Sequence, residues 1–118
     1  MYPQDQIDEL KGLYSGLSLI EEARVQYFLM PNFLMPKGCV PERLDALLCP
    51  SARDGYSSRL FFAKQVAGAR PLNWNANGVR IGERNWHAYS WKIGASAQRL
   101  AQMVSGHLSA LQIGRAHV

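Results

Sequence analysis

The pattern of this chain predicts an α+β fold made of an N-terminal helix, an antiparallel set of strands and a closing helix. Three observations carry that expectation. Ile7, Leu10, Tyr14 and Leu17 fall three and four residues apart, which is one face of a 3.6-residue period. Between Arg24 and Val66, runs of branched and aromatic residues alternate with clusters of Pro, Gly, Ser and Asp, the rhythm of strands joined by tight turns. Helical spacing then returns at Leu100, Met103, Val104, His107, Leu108 and Leu111.

Taken in order, the first helix is expected from Asp5, which can cap it, to Tyr14, with Gly12 and Gly16 weakening its end and a short link running on to Glu22. Arg24 to Phe33 reads as strand one, and Pro31 places its end at a sheet edge or a bulge. Pro36, Lys37 and Gly38 supply turn chemistry before a second strand, Arg43 to Cys49, antiparallel to the first. The cluster Pro50 to Gly55 precedes a third strand, Arg59 to Val66. Gly68 to Pro71 is a further breaker, and Gly78 to Ile81 makes a short fourth strand, completing a four-stranded antiparallel meander. Glu83 to Gly94 has no clean period and reads as ordered irregular structure across the sheet. Ser96 is the expected cap of the closing helix.

At 118 residues the chain accommodates one domain, placed at residues 1–111, with a core large enough to need no disulfide or metal. Residues 112–118 form a tail. Its last six residues, IGRAHV, are what ATC GGA AGA GCA CAC GTC encodes, the start of a common sequencing-library adapter. The expectation is a read artefact, so Arg115 and His117 carry no functional argument.

Composition excludes several classes. The net charge of +4 is spread over Arg24, Lys37, Arg43, Arg53, Arg59 and others that never form a run, which argues against nucleic acid. No apolar run approaches the roughly 18 residues that span a bilayer. Cys39 and Cys49 lack CxxC spacing and no secretory signal opens the chain, so free thiols in a reducing cytoplasm are expected. Metal-binding HExxH and phosphate-cradling GxxxxGK[ST] motifs are absent, and no cofactor is expected.

The composition changes at Asn73 to Lys92, NWNANGVRIGERNWHAYSWK, which holds all three tryptophans and His87. Trp74, Trp86 and Trp91 so close together suggest a packed platform with a polar rim, because each ring N–H needs a partner when buried. Asn73, Asn75 and Asn77 are either polar site residues or good turn formers. Arg80, Arg84 and Lys92 surround the stretch, able to meet an acidic partner surface or to form a solvated rim.

Three segments carry a family resemblance: MPKGCVPERLDALLCP, a Pro/Gly hairpin with a buried strand; DGYSSRLFF; and RNWHAYSW, which fits a Trp-x-x-aromatic-Ser pattern ahead of a further Trp and a C-terminal helix. Together they resemble the ubiquitin-conjugating-enzyme fold, most closely its bacterial branch, prokaryotic family E, over most of Asp5 to Leu111. The resemblance implies acyl transfer with a ubiquitin-like protein and an adenylating (activating) enzyme as partners. It places DGYSSRLFF at the family's Tyr-Pro turn and following strand, and Asn73 to Lys92 at its active region. One of the asparagines would then supply an oxyanion contact.

The chain departs from that pattern twice. Tyr56 is followed by Ser57 where the family has proline, and no cysteine lies between Val66 and Val118, although the family places its acceptor cysteine after the fourth strand.

The candidate catalytic residues are therefore Cys39, between Lys37 and Arg43 in a setting that could lower a thiol pKa, and His87, able to act as acid or base near neutral pH. For each, an ordinary structural role is the plain alternative. Asn75, Asn77, Trp86, Tyr89 and Trp91 are the candidate binding residues. Cys49 and His107 read as core or half-buried. Two functions stay open: a conjugating-type protein of a ubiquitin-like modifier pathway, as acyl carrier or scaffold, and a non-enzymatic module that binds a peptide or chain on a Trp-rich surface.

Overall fold

Among the described residues, two helices lie on one face of a six-stranded antiparallel sheet. The computed structural model describes residues 2–68, 71–93 and 98–112. Helix α1 spans Gln4–Leu13, strands β1 to β6 span Ser18–Glu22, Val25–Leu34, Arg43–Cys49, Arg59–Phe62, Ala76–Ile81 and Arg84–Ala88, and helix α2 spans Leu100–Leu108. The strand order is β1-β2-β3-β4-β6-β5. The α+β class stands, and the expected four-stranded meander is corrected to six strands.

Both added strands come from hairpins without an Asn-Gly signature. Ala23 and Arg24 take φ of 53° and 67°, and Gly82 and Glu83 take 59° and 65°. Left-handed φ at both central residues is what a two-residue type I′ hairpin requires. Three of these four residues adopt it against their intrinsic preference, so the sequence signal was weak. The expected link before Glu22 is instead β1, and the expected irregular segment from Glu83 is β6 over Arg84–Ala88.

The other boundaries shift less. The N-terminal helix begins one residue before Asp5, which sits in the first turn without capping it. Strand β3 matches its expected bounds, and β2 carries the bulge expected at Pro31. There Met30 pairs with Ala46 and Phe33 with Leu44, leaving one extra residue in β2. Asn32 takes φ of 53° and its N–H donates to Asp45 Oδ1 at 2.8 Å. Strand β4 stops at Phe62, short of Val66. Ser96, part of the breaker at Gly68 to Pro71 and the tail from Ile113 lie outside the described residues.

The sheet separates two cores. On the helix side, Ile7 and Leu10 of α1 and Leu100 and Val104 of α2 pack on Phe28, Met30, Ala46, Leu48, Leu60 and Phe62. The helices are also tied together, since Arg99 reaches Asp5 at 2.9 Å and Glu9 at 3.0 Å, and Gln6 accepts the Leu100 N–H at 3.1 Å. On the opposite face Tyr27, Leu47, Cys49 and Phe61 meet Ala76, Ile81, Trp86 and Ala88. Among the described residues no helix covers that face. The sheet curls instead, bringing the β5–β6 turn back to β1, where the Gly82 N–H donates to Glu22 Oε1 at 2.9 Å. Any side chain at Gly82 would begin about 3.4 Å from Ile20, so glycine serves both the turn and the closure.

Candidate functional site

The Asn73 to Lys92 stretch does not form one platform. Trp86 is fully buried in the curled face, its ring N–H on Ile81 O at 3.0 Å and Arg84 stacked 4.6 Å above it. Trp74 and Trp91 belong to the helix side. Trp74 meets Tyr89 edge-on at 5.2 Å, while Trp91 donates to Gly106 O at 3.1 Å and so ties the segment after β6 to α2. Trp86 lies within β6, whereas Trp74 precedes β5 and Trp91 follows β6, so the three are split between the two cores. Of the three basic residues expected around the stretch, Arg84 is paired with Asp45 at 3.0 Å.

The polar residues of the stretch divide into two places. At the first, His87 Nδ1 accepts the Gly78 N–H at 3.3 Å and lies 3.4 Å from Asn77 Oδ1. Asn77 also accepts from Gln65 at 2.5 Å and donates to Trp74 O at 2.8 Å. His87 is thereby held against the start of β5, where Asn77 clamps the turn.

The second place is built where β4 begins and β6 ends. Phe62 pairs with His87 in antiparallel register. Continued three residues further, that register sets Ser90 opposite Arg59. Beside them the tight turn Arg53-Asp54-Gly55-Tyr56 closes with two backbone hydrogen bonds of 2.9 Å, Asp54 and Gly55 both left-handed, and delivers Tyr56 to the same spot. Asn75 arrives from the residue before β5.

Arg59 organises what results. Its side chain is 3% exposed, unusual for arginine, and Nη2 donates to Asn75 Oδ1 at 2.6 Å and to Tyr89 O at 2.9 Å. Asp54, largely exposed, stands 3.6 Å from Nη1, and the guanidinium lies 4.3 Å over the Tyr56 ring. Asn75 donates to Tyr56 Oη at 2.9 Å, and Tyr56 Oη donates to Ser90 Oγ at 2.9 Å. Lys92 Nζ is 5.7 Å from the centre of the same ring. Hydrogen bonding with Ser90 is the chief reason the Tyr56 phenol sits below its usual range, helped by Asn75, Arg59 and Lys92 and opposed by desolvation. Tyr56 is buried, Ser90 is partly exposed, and Asn75 and Lys92 are exposed, so the hydroxyl pair lies at the rim and can be reached.

Behind Arg59 a second polar set is sealed. Ser58 Oγ and His107 Nε2 are 2.9 Å apart, each residue 2% exposed, and Tyr89 Oη donates to His107 O at 2.6 Å. His107 was expected to be half-buried and is buried. Burial first, and the Arg59 charge second, push its pKa down to about 4, so the ring is neutral at physiological pH. Burial likewise raises the Tyr89 phenol.

Cys39 lies away from both places. It is buried, with Sγ 3.9 Å from Leu111 O, and burial raises its thiol pKa, contrary to the lowering expected from Lys37 and Arg43. Cys49 is buried as well, and burial raises it too. A cavity of about 570 Å³ between the end of α1 and the β2 bulge is lined by Leu13, Tyr14, Met30, Pro31, Phe33 and Arg43 among others. It contains none of the hydrogen-bonded hydroxyl pairs, so volume and chemistry part company here. Among the described residues no group of three or more His, Cys, Asp or Glu side chains could hold a metal ion.

Asn75, Tyr89 and Ser90 were within the stretch singled out from sequence, while Tyr56 and Arg59 as partners were missed. The available signal was a lone arginine heading the buried run RLFF, three residues after the tyrosine that follows an Asp-Gly turn. Compared with known proteins, the chain matches no family model, no curated protein and no solved structure.

Proposed function

We propose that this chain is a ubiquitin-conjugating-type domain that engages a ubiquitin-like modifier and its adenylating enzyme without a cysteine thioester of its own. One observation carries the reading. With β1 counted, the chain runs helix, then four strands side by side in chain order, and then the Asn73 to Lys92 stretch. The resemblance puts the family's active region in Asn73 to Lys92, and that stretch contributes Asn75, Ser90 and Lys92 to the rim site beside Tyr56, just before β4. A thiol-carrier role through Cys39 would need that side chain to leave its place beneath Leu111, whereas docking needs no such movement. The interaction-module alternative loses Trp86 as a surface residue, since Trp86 is fully buried.

Binding is the test. The immobilised chain is titrated with a purified ubiquitin-like protein and with its adenylating enzyme, without ATP. Saturable binding of either, weakened by Lys92→Glu, supports the reading. Absence of binding to both, with the fold intact by circular dichroism, removes it. A reductant-labile adduct in the presence of ATP that is lost in Cys39→Ser would restore the thiol-carrier version.

A further inference from the structure

We propose that Ser90 is an acyl acceptor whose hydroxyl is activated by Tyr56 and which takes an acyl group from a thioester as an oxyester. The thioester of a ubiquitin-like modifier as natural donor rests on the function proposed above; the nucleophile itself does not. Its basis is geometry. Ser90 Oγ is 2.9 Å from Tyr56 Oη, Tyr56 Oη is held from its other side by the Asn75 amide at 2.9 Å, and the Arg59 guanidinium covers the ring at 4.3 Å. A serine hydroxyl is a poor nucleophile until an adjacent base removes its proton, and this is the arrangement that supplies one.

Every group that favours a phenolate converges on Tyr56: a serine hydroxyl, an amide N–H, one buried cation and one exposed cation. Asp54, the nearby carboxylate, stands against Arg59 and is largely exposed. Arg59 is in turn fixed by Asn75 and Tyr89 O, so neither the charge nor the tyrosine can drift. Ser90 is anchored by its own N–H, which donates to Asn73 O at 2.7 Å. Partial exposure of Ser90 admits a donor, and Lys92 adds an exposed cation 5.7 Å from the centre of the Tyr56 ring.

The step balances without a redox partner. In the structure the Tyr56 hydroxyl is the donor to Ser90 Oγ; once Tyr56 has lost that proton to solvent, the phenolate takes the proton of the Ser90 hydroxyl while Oγ attacks the thioester carbonyl carbon. The C–O bond forms, the C–S bond breaks, and the departing thiolate takes the proton from Tyr56 and leaves as a thiol. The phenolate is regenerated and the serine carries an ester.

The test uses the whole chain and two donors, a small acetyl thioester and the adenylating enzyme charged with its modifier, read by intact mass and peptide mapping. Acetylation of Ser90 is expected, resistant to dithiothreitol, cleaved by alkaline hydroxylamine, absent in Ser90→Ala and slowed about a hundredfold in Tyr56→Phe. Ser90→Cys should be acylated in a dithiothreitol-labile form, which shows that the position is reachable even where another variant folds poorly. Labelling confined to Lys92 or Cys39, or equal rates in wild type and Tyr56→Phe, overturns the inference. Acylation by the small thioester with none from the charged enzyme leaves the nucleophile standing and removes the modifier as its donor. Modifier binding without any Ser90 acylation does the reverse.

Discussion

Ser58 and Ser90 each face a titratable side chain at 2.9 Å, Ser58 with His107 and Ser90 with Tyr56. By distance and residue type the first pair is the more familiar nucleophile and base. Its surroundings disqualify it: both members are 2% exposed, and the imidazole binds a proton only near pH 4. The Tyr56–Ser90 pair sits at the rim, under cationic groups that favour its ionised form. Arg59 touches both sets, donating to Tyr89 O on the sealed side and to Asn75 Oδ1 on the open one. Access and charge, rather than separation, distinguish a packing contact from a site.

The strongest way to break the comparison is to remove the shared guanidinium. Arg59→Met leaves Tyr89 O and the Asn75 amide oxygen without their donor, and a loss of about 4 kcal/mol is expected from two unpaired acceptors and lost packing. Urea unfolding measures it. A loss below about 1 kcal/mol would mean that Arg59 is incidental to both sets.

Acid separates the two sets next. Unfolded histidine titrates near 6.5 and folded His107 near 4, so above pH 6.5 neither state holds the proton and nothing is lost. As the pH falls through that window the unfolded chain takes up a proton that the folded chain refuses, and stability drops by about 3 kcal/mol by pH 4. His107→Gln should flatten this part of the curve. An unchanged slope would place the acid sensitivity elsewhere.

Smaller effects should diverge by site. Ser58→Ala strands a buried imidazole nitrogen and is expected to cost about 2 kcal/mol. Ser90→Ala, at the partly exposed rim, should cost less than about 1 kcal/mol. Similar values for the two in parallel melts would erase the distinction between them. The smallest change is expected at His87→Ala, about 0.5 kcal/mol, because its one well-placed partner is the Gly78 N–H.

Those magnitudes also show what was legible in the sequence. Helical and strand periods are burial patterns, so Ile7, Leu10, Leu100 and Val104 and the runs of β2 and β3 could be found from spacing alone. The β1–β2 and β5–β6 hairpins could not, because Ala23, Arg24 and Glu83 adopt left-handed turns that tertiary closure imposes on them. The stretch around His87 drew notice through composition, yet its members are split between two cores. Asn75 and Ser90 acquire meaning only through Arg59 and Tyr56, which the β4–β6 register brings to them. No local spacing records that register.

Peptide mapping after reaction with a small fluorophosphonate tests the contrast between the two serines most directly, since the reagent phosphonylates an activated and reachable hydroxyl. The account predicts a Ser90 adduct that is lost in Tyr56→Phe, with Ser58 unmodified while the chain remains folded. Modification of Ser58, or none at Ser90, would contradict it.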